Sequence, residues 1–382
     1  MIMQDPWLLT PGPLTTSMSV KQGMLRDWGS RDGEFIALNH RVRARLLALA
    51  RAQATHVCVP VQGSGTFAVE ATIGTLLPRD GALLVLVNGA YGRRMVRIAE
   101  VMGRAVRAME WAEDQPVSAA ALDAALTADP AISHVAVVHC ETTSGLLNPL
   151  DAVASVCAAR GRPLIIDAMS AFGALPLDAC TTPFEAVVAS SNKCLEGVPG
   201  MGFALVRREA LERARGNAHS LSLDLEDQWR GFEANGQWRF TPPTHVLAAF
   251  DRALDEHEAE GGVAGRGARY RRNHRVLVDG MADLGFRTLL PPALQAPIIV
   301  TFRMPADPAF DFERFYEGLR EKGFVIYPGK LTVAPSFRIG CIGRLGEAEM
   351  LGALQAIRET LAELGVRSGA PAAEPAAEAV LS

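Results

Sequence analysis

The sequence predicts an α/β fold: a large unit with a mostly parallel sheet covered by helices, then a smaller α+β unit. Three observations carry that prediction. Strand-like and helix-like segments alternate from residue 35 to residue 206. The strand segments, such as Ala82–Val87 and Ala186–Ala189, are nearly continuous apolar runs, as expected of strands buried on both faces. Beyond the glycine-rich stretch 261–267, which reads as a hinge or linker, the texture changes to a basic helix followed by short strands and helices.

In chain order, residues 8–16 hold two prolines around a glycine and can form neither a helix nor a central strand. They read as a fixed irregular segment. A helix over 35–54 leads to a strand at Thr55–Val61, the glycine turn Gln62–Ala68 and an apolar helix to Leu77. The strand Ala82–Val87 ends in Asn88–Gly89. Met95, Ile98, Ala99 and Met102 then repeat at helical spacing. An alanine-rich helix over 118–128 precedes the strand Ser133–Cys140. A helix over Asp151–Arg160 precedes the strand Pro163–Ile166, which runs into Asp167. Two more apolar runs, Ala186–Ala189 and Gly202–Val206, enclose a loop with one lysine, Lys193.

Residues 220–260 read as helical, broken by Phe240-Thr-Pro-Pro243. The second unit is predicted to hold a helix over Arg269–Leu284, strands at Pro297–Phe302, Phe324–Tyr327 and Phe337–Gly340, and helices over Phe312–Lys322 and Glu347–Leu364. The expected organisation is an N-terminal segment 1–18, a large unit 19–260, a small unit 261–366 and a disordered tail 367–382 rich in Ala, Pro and Glu.

Composition excludes several function classes. With 382 residues, 49% of them hydrophobic, the chain is long enough for two cores. A net charge of -4 without a basic patch argues against a nucleic-acid partner. No apolar run approaches the roughly 20 residues that span a bilayer. The N-terminus lacks a basic stretch followed by an apolar one, so a cytoplasmic location is expected. The six cysteines show no C-x-x-C spacing, read as reduced and mostly buried thiols, and suggest no metal.

Candidate chemistry gathers at the strand ends. A strand, a glycine turn and a helix point free amides at an anion, and Ser64 and Thr66 add hydroxyls around Gly65. The same turn matches a dinucleotide fingerprint, G-x-G-x-x-A, but the second strand ends in Asn88 where that reading needs an acid. Tyr91 follows that strand and could stack on a flat ligand. Asp167 closes a buried strand, where ligands bind in open α/β sheets. Lys193 sits on a loop held by two strands, where desolvation would favour the nucleophilic free amine. A lysine, a buried carboxylate, an anion cradle and an aromatic fit pyridoxal 5'-phosphate, which needs an amine for its aldehyde and a carboxylate for its ring nitrogen.

Eight segments carry a family resemblance: LLTPGPLTTS (8–17), QGSGTF (62–67), NGAYG (88–92), CETTSGLLNP (140–149), DAMSAFG (167–173), SSNKCLEGVPGMGF (190–203), RFTPPTHV (239–246) and SFRIGCIG (336–343). In these the chain resembles the 2-aminoethylphosphonate:pyruvate aminotransferases, within class V of the fold-type I pyridoxal-phosphate transferases. The resemblance implies an amino transfer from 2-aminoethylphosphonate to pyruvate, giving phosphonoacetaldehyde and L-alanine. It implies that Lys193 bonds the cofactor aldehyde and shuttles the proton, and that Asp167 pairs with the ring nitrogen. Ser64, Gly65 and Thr66 would hold the phosphate, with Thr241 reaching in from the partner of a homodimer. Tyr91 would stack on the ring, Thr143 would lie at its oxygen, and Arg338 would clamp an acidic group of the substrate. Other class V enzymes, such as alanine or serine:glyoxylate aminotransferases, share the fold and cofactor site and differ in the donor. A cysteine desulfurase would need a reactive cysteine on a mobile loop. A ligand-binding protein without chemistry is disfavoured by the intact Lys193, Asp167 and Arg338. Glu196, three residues past the lysine, has no role implied by either line of reasoning.

Overall fold

A computed structural model describes residues 5–218, 220–329 and 334–372. Seven strands form the large sheet: β1 (His56–Gln62), β2 (Ala82–Val87), β3 (Ala105–Glu110), β4 (Ile132–Val138), β5 (Leu164–Asp167), β6 (Ala186–Ser190) and β7 (Met201–Arg207), in the order β1-β7-β6-β5-β4-β2-β3. The pairs β6–β5, β5–β4, β4–β2 and β2–β3 are parallel, whereas β7 runs antiparallel to both of its neighbours. The helices around these strands are α1 (Gly33–Leu49), α2 (Gly65–Leu76), α3 (Ala90–Val101), α4 (Ala119–Ala128), α5 (Leu150–Ala159), α6 (Leu225–Asn235) and α7 (Thr244–Ala259).

The apolar runs are continuous because both faces of the sheet are covered. Leu84, Leu86, Val135 and Val137 belong to one core, with Val42 and Leu46 of α1 and Val153 of α5. Leu83, Val85, Ala136 and Val138 belong to the opposite core, with Val69 and Ile73 of α2 and Met95 of α3. Each such fully buried Val, Leu or Ile stabilises the fold by about 1.5–3 kcal/mol. Helix starts follow the capping residues: the Asp32 carboxylate accepts the Glu34 amide at 2.9 Å, and the Ser118 hydroxyl accepts the Ala121 amide at 3.2 Å.

A second sheet contains β8 (Ile299–Arg303), β9 (Tyr327–Pro328) and β10 (Ser336–Gly340), with β10 central and antiparallel to both neighbours. It packs with α8 (Gly262–Asp283), α9 (Phe312–Glu321) and α10 (Glu347–Leu364) around Phe302, Phe315, Phe337 and Ile357. The N-terminal segment joins this unit. Trp7–Leu8 pairs with Phe324–Val325, and the amides of Gly340 and Arg344 donate to Leu9 and Thr15 carbonyls.

Three expectations change. Residues 261–267 are no linker, because Gly262 opens the 22-residue helix α8. Its glycines serve close packing: a Cβ on Gly265 would lie 1.9 Å from the Glu260 carbonyl oxygen, and one on Gly267 would lie 2.4 Å from that of Ala174. Strand β3 was not foreseen, since its mostly exposed residues at the sheet edge lack the apolar run of its neighbours. Of the expected disordered tail, the start is held: Gly369 and Ala306 bond to Leu284 and Ala370 carbonyls, while residues 373–382 lie outside the described residues. Among the described residues no helix is long and apolar enough to cross a membrane.

Candidate active site

The large sheet delivers its polar residues to one edge. Ser64 follows β1, Tyr91 follows β2, Asp167 ends β5 and Ser190 ends β6. The loop from β6 to the antiparallel β7 leaves and re-enters at that same edge and carries Lys193. Together they line a cavity of about 420 Å³ with Gly65, Thr66, Arg94, Met169, Asn192 and Gly200.

The Lys193 turn is tightly built. The Glu196 amide donates to the Lys193 carbonyl and the Gly197 amide to that of Ser191, both at 2.8 Å. The buried Ser191 hydroxyl donates to the Val198 carbonyl at 2.6 Å. Lys193 Nζ donates to the carbonyl of Pro11, so the N-terminal segment closes over the lysine. Gly12 is required there: its φ is +118°, and a Cβ would lie 2.4 Å from Lys193 Nζ.

An anion cradle stands opposite. Ser64 occupies the N-cap of α2, yet its hydroxyl makes no capping bond. The first amides of α2, from Gly65 and Thr66, have no acceptor within the helix, and its dipole adds partial positive charge. Arg94 Nη1 lies 3.2 Å from the Thr66 hydroxyl, and the Arg94 guanidinium sits 4.9 Å from the centre of the Tyr91 ring. Met169 fills the space that a Cβ on Gly65 would take.

Asp167 lies between lysine and cradle. Its main chain is fixed on both sides, by the His139 amide on its carbonyl at 2.8 Å and by pairing with Val188. Burial pushes its carboxyl up to about 6, against the pull of the Met169 amide, Arg94 and Lys193. Ser190 Oγ, buried on the cavity wall, has no partner among the described residues.

Three expected site residues do not line this cavity. Thr143 is fully buried; its hydroxyl donates to Glu141 at 2.5 Å and accepts from the Ala90 amide at 3.0 Å. Arg338 is 1% exposed on β10 and donates to the Thr142 carbonyl at 2.8 Å and the Pro328 carbonyl at 3.2 Å. No carboxylate pairs with it among the described residues; burial lowers its pKa, and Tyr91, Glu141 and Tyr327 pull it back up. Thr241 is exposed in a separate depression of about 440 Å³ that shares Gly63 with the cavity and is walled by Phe67, Trp238 and Phe240.

Sequence reasoning passed over Arg94, Met169, Asn192 and the Pro11–Gly12 corner. Arg94 was within reach, because it lies three residues after Tyr91 on one helix and therefore near the same face. The corner was not, because its contact with Lys193 spans 182 positions. Cys194 is buried, its thiol donates to the Ser170 carbonyl, and burial pushes it up to about 12, so no reactive cysteine stands beside the lysine.

The sequence model of class-V aminotransferases matches residues 18–343. The chain is 57% identical to the 2-aminoethylphosphonate–pyruvate transaminase 2 of Burkholderia lata, over 95% of this chain and 96% of that protein. It is 55% identical to the 2-aminoethylphosphonate–pyruvate transaminase of Cupriavidus necator, over 97% and 99%. Among solved structures, the fold matches ureidoglycine–glyoxylate aminotransferase from Bacillus subtilis with a TM-score of 0.88, 21% identity and coverage of 97% and 96%. It also matches alanine–glyoxylate aminotransferase from Nostoc sp. with a TM-score of 0.88, 24% identity and coverage of 94% and 96%.

Proposed function

The chain belongs to the class-V aminotransferase family, and from that premise we propose that it transfers the amino group of 2-aminoethylphosphonate to pyruvate, yielding phosphonoacetaldehyde and L-alanine. The observation that carries the chemistry is the convergence of Lys193, Asp167 and the Ser64–Thr66 turn on one cavity. Relatives at 55–57% identity over nearly the whole chain support the substrates.

The residues fit pyridoxal 5'-phosphate. The uncapped Ser64 and the first amides of α2 suit a phosphate, and glycine at 65 and 12 lets Met169 and Lys193 pack beside the cradle without collision. The cofactor supplies an aldehyde to carry nitrogen and a ring to take up an electron pair. Ser64, Gly65 and Thr66 would hold its phosphate, and Tyr91, on the same cavity wall, would cover its ring. Asp167 would pair with the ring nitrogen, and a cationic partner there would restore to its carboxylate the charge that burial disfavours. Lys193 is the amine that would hold the cofactor's aldehyde, and its Nζ, on the cavity wall, would carry the proton to and from the reacting carbon. Thr143 would set the surroundings of the site through Glu141 and the Ala90 amide.

Arg338 receives the acidic group of donor and acceptor. Its bonds to two neutral carbonyls orient the planar guanidinium without neutralising it, so an incoming phosphonate or carboxylate supplies the missing charge. The working unit is a homodimer, in which Thr241 of one subunit completes the phosphate site of the other. Support for this reading is the solvent exposure of Phe67 (50%), Phe240 (51%) and Leu221 (74%) on and around the Thr241 depression. Light scattering that gives a fully active monomer would remove the dimer and Thr241 from the site. A cytoplasmic location agrees with six free thiols, five of them buried.

The test is a single turnover. Purified enzyme carrying its cofactor is mixed with 2-aminoethylphosphonate alone, and its visible absorption band is followed. Loss of the band with release of phosphonoacetaldehyde establishes the donor. Bleaching only by alanine or serine moves the assignment to an amino acid:glyoxylate enzyme. Lys193→Ala is expected to lose turnover and the native band together; full activity in that variant would overturn the mechanism.

A further inference from the structure

Behind the Lys193 turn lies a buried cluster of charge that the reaction does not use. Glu196 Oε1 accepts from the Tyr270 hydroxyl at 2.6 Å and from Arg269 Nη2 at 2.7 Å, and lies 3.4 Å from Arg266 Nη1. Glu260, at the end of α7, closes the cluster with 2.6 Å to Arg266 Nε and 2.7 Å to Arg269 Nε. The two glutamates and two arginines balance in charge, and Arg266, Tyr270 and Glu196 are almost wholly buried.

The cluster grips main chain on both sides. Toward the site, the Cys194 carbonyl accepts from Arg266 Nη1 at 2.5 Å and faces the Tyr270 hydroxyl at 3.4 Å. Toward the small sheet, Arg269 Nη1 donates to the carbonyls of Gly343 at 2.6 Å and Leu345 at 2.8 Å. All three anchoring side chains stand on α8, whose Gly265 and Gly267 let it approach the Glu260 and Ala174 backbone.

Two features show that this cluster is not arranged for stability alone. Glu196 has a φ of +56°, a conformation that a side-chain-bearing residue holds only when its surroundings impose it. Glu196 Oε2 and Arg266 Nη2 are buried without a hydrogen-bond partner among the described residues. An apolar filling of the same space would avoid the unpartnered polar atoms, though not the positive φ.

We propose that Glu196 is a positioning residue: its carboxylate, held by Arg266, Arg269 and Tyr270, imposes the turn that carries Lys193 and ties it to α8 and to the loop 343–345. The inference rests on the reading of Lys193 given above. The carboxylate acts through the backbone, since the Glu196 amide closes the turn on the Lys193 carbonyl. Arg338 keeps its own bonds to Thr142 and Pro328, so substrate affinity is not what Glu196 sets.

Glu196→Gly separates carboxylate from backbone, because glycine accepts the positive φ and removes only the side chain. Displacement of the amine by about 1 Å can cost on the order of 100-fold, so kcat is expected to fall about 10- to 100-fold, with KM for both substrates changed less than about threefold. The pH midpoint of the visible band, which reports the lysine's environment, is expected to shift in step. Glu196→Gln keeps an acceptor for Tyr270 and Arg269 and is expected to recover most of the rate. Tyr270→Phe removes one hydroxyl, leaves the fold intact and is expected to lower kcat about fivefold, the worth of one hydrogen bond. Unchanged kcat and band midpoint in Glu196→Gly and Tyr270→Phe, with only a lower melting temperature, overturn the proposal and leave the assignment of Lys193 standing. A wild-type enzyme without the band overturns both.

Discussion

Arg338 and Arg266 are equally buried, at 1% and 0% exposure, yet they live in opposite surroundings. Arg266 meets Glu260 and Glu196, which hold its pKa above the ordinary value despite burial. Arg338 meets carbonyl oxygens, and burial pulls its pKa below the ordinary value. A buried cation beside carboxylates is compensated within the fold, whereas one beside neutral carbonyls keeps its charge uncompensated, which is the basis of the role proposed for Arg338 above. Equal burial therefore does not mean equal surroundings: the charge of the neighbours sets the direction of the pKa shift.

Substitutions should break this comparison at one arginine and not at the other. The largest effect on stability is expected at Arg266→Ala, which leaves two carboxylates facing Arg269 alone. Removing one partner of a buried pair costs about 3–5 kcal/mol, and urea unfolding of the purified protein measures it. A loss below about 1 kcal/mol would reduce the cluster to the level of surface pairs.

Asp167 tests the same rule for an anion. Its carboxyl rises from the ordinary 3.8 to about 6 by burial, so between those values the folded, cofactor-free chain holds a proton that the unfolded chain has released. Stability then falls as pH rises through that window, by about 3 kcal/mol at about 1.4 kcal/mol per pH unit. Asp167→Asn should remove this term, so the variant stripped of cofactor should be the more stable protein above pH 6, while cofactor affinity falls. Parallel wild-type and variant curves of stability against pH would show that the carboxyl is not held up by burial.

At Arg338→Ala the expectation is a rise in KM for 2-aminoethylphosphonate and pyruvate of about 10- to 100-fold, corresponding to a charged hydrogen bond of about 1.5–3 kcal/mol. Because no carboxylate is hydrogen-bonded to the arginine among the described residues, the melting temperature should move far less than in Arg266→Ala. A KM unchanged for both substrates would take Arg338 out of the reaction. A stability loss equal to that of Arg266→Ala would erase the contrast between the two.

The sequence by itself determined the strand and helix alternation except for the edge strand β3, because nearly continuous apolar runs such as Ala82–Val87 specify strands covered on both faces. It also determined which polar residues end those strands, since a strand's length is written in its own residues. That placed Ser64, Tyr91, Asp167 and Lys193 at one edge before any coordinates. The tertiary structure alone decided what meets them there. Pro11 reaches Lys193 across 182 positions, Tyr270 reaches Glu196 across 74, and Thr142 meets Arg338 across 196. Such partners leave no mark in local periodicity. The glycines of 261–267 read as a linker for the same reason: in sequence a glycine marks freedom, and only the packed structure shows that here it marks the close approach of α8 to its neighbours.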